Sequence, residues 1–371
     1  YGNILDFYLV KRLKNFDTIK DKSVNFIQGT GIKYKDGSKK FNAKKIIDLP
    51  FVDASKKELQ KYYFYSRKNW DINEVGFLPD EKLFQKYSII VKKGADSEFK
   101  LVASYSDIDV VFTDTILAIH SSKKSDIPTL KSFVAIYNSS FASFYFVKTA
   151  SSIGIEREQI FMEEKMGLPY NSSQKLVKLV SEIEKAAKQK YEAEDPKSDE
   201  YRNAEAEYNK LLKEIDEEIY SIYKINNQEQ ALIDYAHQIS IPLIKRRDTH
   251  RIFGSLHLHN KLHKKYLKQY ADIFLNHYNN IFNSDGLYFE IEVWHSYHII
   301  GMLFKLIHEP SKAKDQIIWK QDTETRNLLK RFSAISISEQ SEELFIQKDI
   351  KGFEEEAFYV IKPNEYKNWH R

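Results

Sequence analysis

Four groups of side chains in this chain have types and spacing suited to chemistry. A glycine turn, Gly29-Thr-Gly31, leads into Lys33, Tyr34, Lys35, Lys39 and Lys40. Free backbone N–H groups and ammonium groups are what a phosphate accepts hydrogen bonds from. The Gly-Lys-Ser/Thr ending of a nucleotide-binding loop is missing, and a solvated turn with ordinary surface lysines is the plain alternative. Arg67, Lys68 and Asn69 follow the aromatic run Tyr62-Tyr-Phe-Tyr65. Arginine pairs with guanine, and asparagine with adenine, through two hydrogen bonds each in a major groove; otherwise this is a loop after a core strand. Lys92, Lys93, Tyr105, Ser106 and Arg157 are further candidates for phosphate or base-edge contact. Arg157 could equally pair with Glu156, Glu158 or Glu163, and Asp114 reads as a buried, hydrogen-bonded residue.

Histidines form the third group. His257, His259 and His263 cluster, as do His295 and His298, and Glu290 and Glu292 are the nearest acids. On a helix, His259 and His263 would share a face, but no His-Glu-x-x-His motif occurs, and zinc sites have tighter spacing. No metal centre is expected. The Asp…Glu-x-Lys pattern of a metal-dependent nuclease is missing too, although Glu290, Glu292 and the acids at 354–356 keep a cryptic nuclease in residues 241–371 as a minor alternative. No nucleophile elbow supports serine catalysis. The fourth group is a second basic face, Lys245, Arg246, Arg247 and Arg251, suited to a nucleic-acid backbone or an acidic protein surface.

Charge is segregated. The formal net charge is only +4. Residues 1–50 nevertheless hold eleven Lys/Arg against five Asp, and residues 241–271 hold eight against one. Local positive charge of this kind is what a polyanion requires. Residues 172–223 are acidic overall. With no cysteine in the chain, disulfides and thiolate metal sites are excluded. There is no signal peptide and no apolar run long enough to span a bilayer, so a cytoplasmic location is expected. Tyr1 is not preceded by Met, which suggests a fragment or a processed chain.

These residues need a scaffold, and the pattern predicts an α+β fold. An amphipathic helix is expected in residues 1–20, from Ile4, Leu5, Phe7, Tyr8, Val10 and Leu13. Strands are expected at 60–66 and 87–93. The run Leu101-Val-Ala-Ser-Tyr-Ser-Asp-Ile-Asp-Val-Val-Phe-Thr-Asp-Thr-Ile-Leu-Ala-Ile-His120 reads as two strands around a polar turn that holds Tyr105 and Ser106. One aromatic-faced helix is expected over 127–147. Leu176, Val180, Ile183, Ala187 and Tyr191, then Tyr208, Leu211, Ile215, Ile219 and Ile222, fall at steps of three and four, which predicts an antiparallel helical hairpin. Helices at 234–242, 266–282 and 328–332 and strands at 287–294, 343–350 and 356–361 complete the C-terminal region.

Residues 1–240 resemble the target-recognition part of adenine-specific DNA methyltransferases of type IIG restriction–modification systems, and more distantly half of a type I specificity subunit. Four stretches carry the resemblance. They are Ile27-Gln-Gly-Thr-Gly-Ile32 with Leu49-Pro-Phe51; residues 89–93 leading to Leu101-Val-Ala-Ser-Tyr105 and Val111-Phe-Thr-Asp-Thr-Ile116; residues 130–145 with Tyr137-Asn-Ser-Ser140, then Gly154-Ile-Glu-Arg157 and Leu168-Pro169; and the helix that follows, with Leu212-Lys-Glu-Ile-Asp-Glu-Glu-Ile-Tyr-Ser-Ile-Tyr223. The Asn/Asp-Pro-Pro-Tyr/Phe motif and the glycine-rich cofactor motif of the catalytic half are absent. The resemblance therefore implies recognition of double-stranded DNA without methyl transfer in this chain. S-adenosylmethionine would bind a methyltransferase domain before Tyr1 or on another subunit. The expected organisation is a target-recognition domain at 1–170, a helical hairpin spacer at 171–225 and an α+β domain of unknown role at 226–371, open to a protein partner. A docking module is the main alternative function.

Overall fold

A computed structural model of the chain describes residues 4–96, 99–151, 160–193, 195–320, 349–354 and 356–370. The fold is mixed α+β, as the patterning predicts. It divides into two compact units, Tyr1–His237 and Gln238–Arg371.

The first unit is built on an antiparallel sheet in the order Ile27–Thr30, Ile116–His120, Ser88–Lys92, Ala103–Ser106. Ile116–His120 is buried along its whole length and Ser88–Lys92 along most of it, which accounts for their continuous apolar texture. The expected pair of strands around one turn is wrong in detail. Ala103–Ser106 and Ile116–His120 are not neighbours, because Ser88–Lys92 lies between them. Tyr105 and Ser106 lie in a strand, not in a turn. The expected 111–119 strand is also two pieces. Val111–Phe112 runs parallel to Pro50–Val52 in a second sheet, whose other edge is Lys68–Asn69. The chain then turns through Thr113 to Thr115, where the two hydroxyls lie 2.8 Å apart, and enters the first sheet.

Other expectations shift for identifiable reasons. Residues 60–66 form two short strands, Leu59–Gln60 and Tyr63–Phe64, around Tyr62 at φ 64. The single helix of 127–147 is two, Ile127–Asn138 and Ser140–Thr149. Ser139 between them is extended, and its hydroxyl caps the second helix by accepting from Ala142 N at 3.1 Å. Asn138 acts as a substitute strand: its side chain accepts from Ala103 N at 2.9 Å and donates to Ala103 O at 2.8 Å.

The first helix forms at Ile4–Leu13, but of its expected apolar set only Leu13 is fully buried and Val10 partly so. It buries Asp6, Leu9 and Leu13 and leaves Ile4, Leu5, Phe7 and Tyr8 exposed. Asp6 is drawn inward by the nearly buried Lys148, whose ammonium lies 3.0 Å from its carboxylate. The hairpin forms as predicted. Gln174–Glu192 and Asp199–Ile222 pack along Leu176, Val180, Ile183 and Ala187 facing Tyr208, Leu211, Ile215 and Ile219. Ser173 and Ser198 cap their N-termini. Within this unit Gln174–Glu192 also packs on Ile127–Asn138.

In the second unit a five-stranded sheet runs Ile317–Lys320, Tyr288–His295, Ile299–Ile307, Ala357–Pro363, Ile350–Glu354. All pairs are antiparallel except the first. Helix Lys261–Phe282 lays Leu267, Ala271 and Leu275 on a core that includes Ile291, Val293, Met302 and Phe304. The predicted helix at 328–332, and most of the strand predicted at 343–350, lie outside the described residues. Among the described residues no helix is long and apolar enough to cross a membrane.

Candidate nucleic-acid interface

Trp70 is the residue around which the basic segments assemble. Its indole N–H donates to Ile72 O at 2.9 Å and its backbone N–H to Leu49 O at 2.8 Å, so the ring is fixed in the core at 2% exposure. Phe51 packs on it at 5.2 Å between centroids, and Tyr34 stacks over it at 5.7 Å with the rings 27° apart. Tyr34 stays half-exposed, and partial burial pushes its hydroxyl pKa up. Through this stack the Lys33–Lys40 stretch and the Arg67–Asn69 stretch, thirty residues apart in sequence, share one part of the fold.

The loop backbone is held from beneath by Gly76. Its N–H donates to Lys33 O at 2.9 Å and to Tyr34 O at 3.1 Å. A Cβ there would stand 2.2 Å from Asp36 N and 2.5 Å from Lys35 C, so the loop passes only because this residue is glycine. The lysines above are used unequally. Lys33 lies 3.6 Å from Asp36 and over the Phe77 ring at 5.6 Å. Lys40 pairs with Glu74 at 2.9 Å, a hydrogen bond that raises the lysine pKa and lowers the carboxyl. Lys35 and Lys39 are exposed and have no ion pair among the described residues. Exposed pairs of this kind contribute little and reopen easily.

The glycine turn itself does not cradle anything. Gly31 N–H donates to Ile116 O at 3.2 Å, and Gly29 lies in the strand paired with Ile116–His120. A Cβ at Gly31 would meet Phe112 O at 2.2 Å. Gly31 serves close packing and Gly29 serves strand pairing, which corrects the expectation of free N–H donors.

Lys68 and Asn69 form the exposed edge strand against Pro50–Phe51. The Lys68 ammonium lies over the Phe51 ring at 5.5 Å. Arg67, with 64% of its side chain exposed, rests on Tyr65: the guanidinium is 5.5 Å from the ring centroid and donates to the hydroxyl at 3.2 Å. Buried Glu58 approaches it at 4.0 Å. Beneath Arg67 the rings continue as a ladder. Tyr65 stacks on Tyr63 at 6.3 Å, and Tyr63 on Tyr191 of the hairpin at 5.9 Å and 5°. Tyr63 also donates to Glu192 at 2.8 Å, and burial together with that carboxylate pushes its pKa well up. Sequence reasoning missed Gly76, Glu58 and the Tyr191–Glu192 end of the hairpin. Only the Val-Gly-Phe context of Gly76 hinted at a turn.

The other candidates scatter. Lys92 and Lys93 lie at the end of Ser88–Lys92, where their carbonyls receive the ammonium of buried Lys165 at 3.4 and 2.6 Å. Burial, then the charge of Lys93, pulls the Lys165 pKa down to about 7. Tyr105 is half-buried under Lys131 at 5.4 Å, and Lys131 is paired with Glu184 at 2.7 Å. Ser106 is fully buried, with its hydroxyl on Ile108 O at 2.7 Å, so it presents nothing to a partner. Arg157 lies outside the described residues.

In the second unit Arg251 stacks on Tyr366 at 4.9 Å and donates to Gln238 O at 3.0 Å, while Arg246 and Arg247 are exposed and Lys245 is half-buried. His257, His259 and His263 do gather, with His257 5.4 and 6.0 Å from the other two rings. His263 accepts from His257 N at 3.1 Å, and burial plus the neighbouring imidazoles lower its pKa. Among the described residues no three His, Asp or Glu side chains converge as a metal would need. Glu290 accepts from Ser311, and Glu292 from Trp294 and Lys305.

No family model matches the chain, and no curated protein matches it. Among solved structures it is similar to the Type IIL restriction-modification enzyme MmeI, determined in complex with DNA, at 13% identity and a TM-score of 0.34. That likeness covers 59% of this chain and spans only 35% of the MmeI chain. At that level it transfers neither fold nor function.

Proposed function

We propose that the first unit recognises a specific sequence in double-stranded DNA, in the service of an adenine-specific methyltransferase or restriction–modification enzyme. One observation carries the proposal. The Tyr34–Trp70 stack brings a lysine loop suited to phosphates beside an exposed Arg-Lys-Asn edge suited to base edges. The sequence resemblance of residues 1–240 points the same way. In this reading Lys35, Lys39 and, once their exposed pairs open, Lys33 and Lys40 hold the backbone. Arg67 and Asn69 reach into the major groove, and the tyrosine ladder keeps Arg67 raised. Methyl transfer to a flipped adenine would be carried out by a separate catalytic domain that binds S-adenosylmethionine. A docking function has one observation of its own: Ile4, Leu5, Phe7 and Tyr8 are each more than half exposed on one short helix, an apolar patch suited to a protein partner such as the methyltransferase subunit.

The test is binding of the chain to fluorescent duplexes of varied sequence over a range of salt. Sequence recognition requires affinity that falls steeply with salt and differs between duplexes. Equal, salt-insensitive binding to every duplex, or none at low salt, would end the proposal.

A further inference from the structure

Helix Lys261–Phe282 carries Lys261, Lys264, Lys265 and Lys268, offsets of zero, three, four and seven. That spacing places all four on one helical face. They form one wall of an open cleft of about 400 Å³, with Lys314, Trp319 and a single acid, Asp315, among its other lining residues. The lysines are largely uncommitted. Lys268 pairs with Asp272 at 2.9 Å, but Lys261, Lys264, Lys265 and Lys314 have no ion pair among the described residues. Lys264 lies over the Trp319 ring at 4.6 Å, which directs its ammonium across the cleft.

The far wall shows a second, independent feature. Asp315 and Gln316 both adopt positive φ, 57 and 59. Two consecutive non-glycine residues in the left-handed region are uncommon, and such strain persists only where its surroundings hold it. Here Gln316 does the holding: its amide donates to Phe289 O at 2.9 Å and its oxygen accepts from Asn279 at 3.0 Å. The strained turn follows Lys314, which stands exposed on the cleft rim.

We infer that this cleft is a phosphate-backbone site, through which the second unit grips nucleic acid without regard to sequence. The lysine stripe is about 10 Å long at 1.5 Å per residue, which matches about three nucleotides at about 3.4 Å per strand. The cleft lining holds lysines and no arginine, so it meets phosphates as hydrated point charges without the planar fork of two-point recognition, which suits a grip that does not depend on sequence. The choice of duplex DNA as partner rests on the function proposed for the first unit; the site itself does not, and none of Lys245, Arg246, Arg247 and Arg251 lines it.

The experiment uses the full chain and a labelled duplex of arbitrary sequence. Lys261→Gln, Lys265→Gln and Lys314→Gln are combined, and binding is followed against salt. Every phosphate left without its lysine lowers the slope of log affinity against log salt by about 0.9, so a fall of about 2–3 is expected, by the same factor for every sequence. An unchanged slope and affinity overturns the proposal. Chemical acetylation of the unsubstituted chain gives a second measurement that needs no variant: bound duplex protects Lys261, Lys265 and Lys314. Protection by polyglutamate and not by duplex overturns it as well. Failure of the first unit's function reads differently, as loss of discrimination between sequences with the cleft-dependent salt slope intact.

Discussion

Substituting Gly76 by alanine tests whether the lysine loop is held as a unit. The added Cβ would stand 2.2 Å from Asp36 N, 2.5 Å from Lys35 C and 2.6 Å from Lys35 Cα, all backbone atoms that cannot rotate away. Ordinary contact begins at 3.4 Å, so 3.4 minus 2.2 leaves 1.2 Å of displacement for the loop to absorb. Overpacking of this size costs about 1–3 kcal/mol. The two hydrogen bonds from Gly76 N–H to Lys33 O and Tyr34 O are at risk as well, at about 1 kcal/mol each. A loss of about 2–4 kcal/mol is therefore expected. Urea unfolding followed by tryptophan fluorescence reads it, because Trp70 lies under the displaced loop. Duplex binding should weaken in parallel, with a shallower salt dependence. Gly94 is the control: a Cβ there meets nothing within 4 Å, and Gly94→Ala should shift stability by under about 0.5 kcal/mol. If Gly76→Ala matched Gly94→Ala in both stability and DNA binding, the loop would not be braced as described.

Three further outcomes are expected. Arg67→Ala should cost about 1–3 kcal/mol of discrimination at one base pair, and Arg67→Lys should restore it only in part, because a flexible ammonium lacks the planar fork that stacks on Tyr65; competition among duplexes mutated one position at a time measures this. Lys165 has its pKa pulled from 10.5 to about 7 in the fold, so between those values the unfolded chain binds the extra proton and stability must rise with pH. Unfolding free energies from urea titrations between pH 7 and 9 should climb by up to about 1.4 kcal/mol per pH unit, a dependence that Lys165→Met removes; a flat profile in the unsubstituted chain would refute it. Asp6→Asn takes the carboxylate from the nearly buried Lys148 and should destabilise by about 3–5 kcal/mol, as read by thermal unfolding; a shift below about 1 kcal/mol would mean that solvent reaches the pair.

Much of the fold was legible because its signals are local. The hairpin repeats apolar residues every three or four positions, and each helix begins at a serine that can cap it, so helical geometry alone determines which residues face each other. Tyr288–His295 was legible from its alternation for the same reason. Identity and order also sufficed to mark Lys33 to Lys40 and Arg67 to Asn69 as chemically apt. Tertiary structure decided what each of these could touch. The break at Ser139 coincides with Asn138 reaching Ala103, and the exposure of Ile4, Leu5, Phe7 and Tyr8 on the first helix with the buried Asp6–Lys148 pair. In both, a polar group removed from water had to find a partner far along the chain, and local spacing carries no record of that search. The split of 111–119 between two sheets, the clearance that Gly76 gives the loop, and the Tyr34–Trp70 stack arise in the same way. Periodicity groups residues on a common face, but only the closed core decides whether that face turns inward and which residue it meets there.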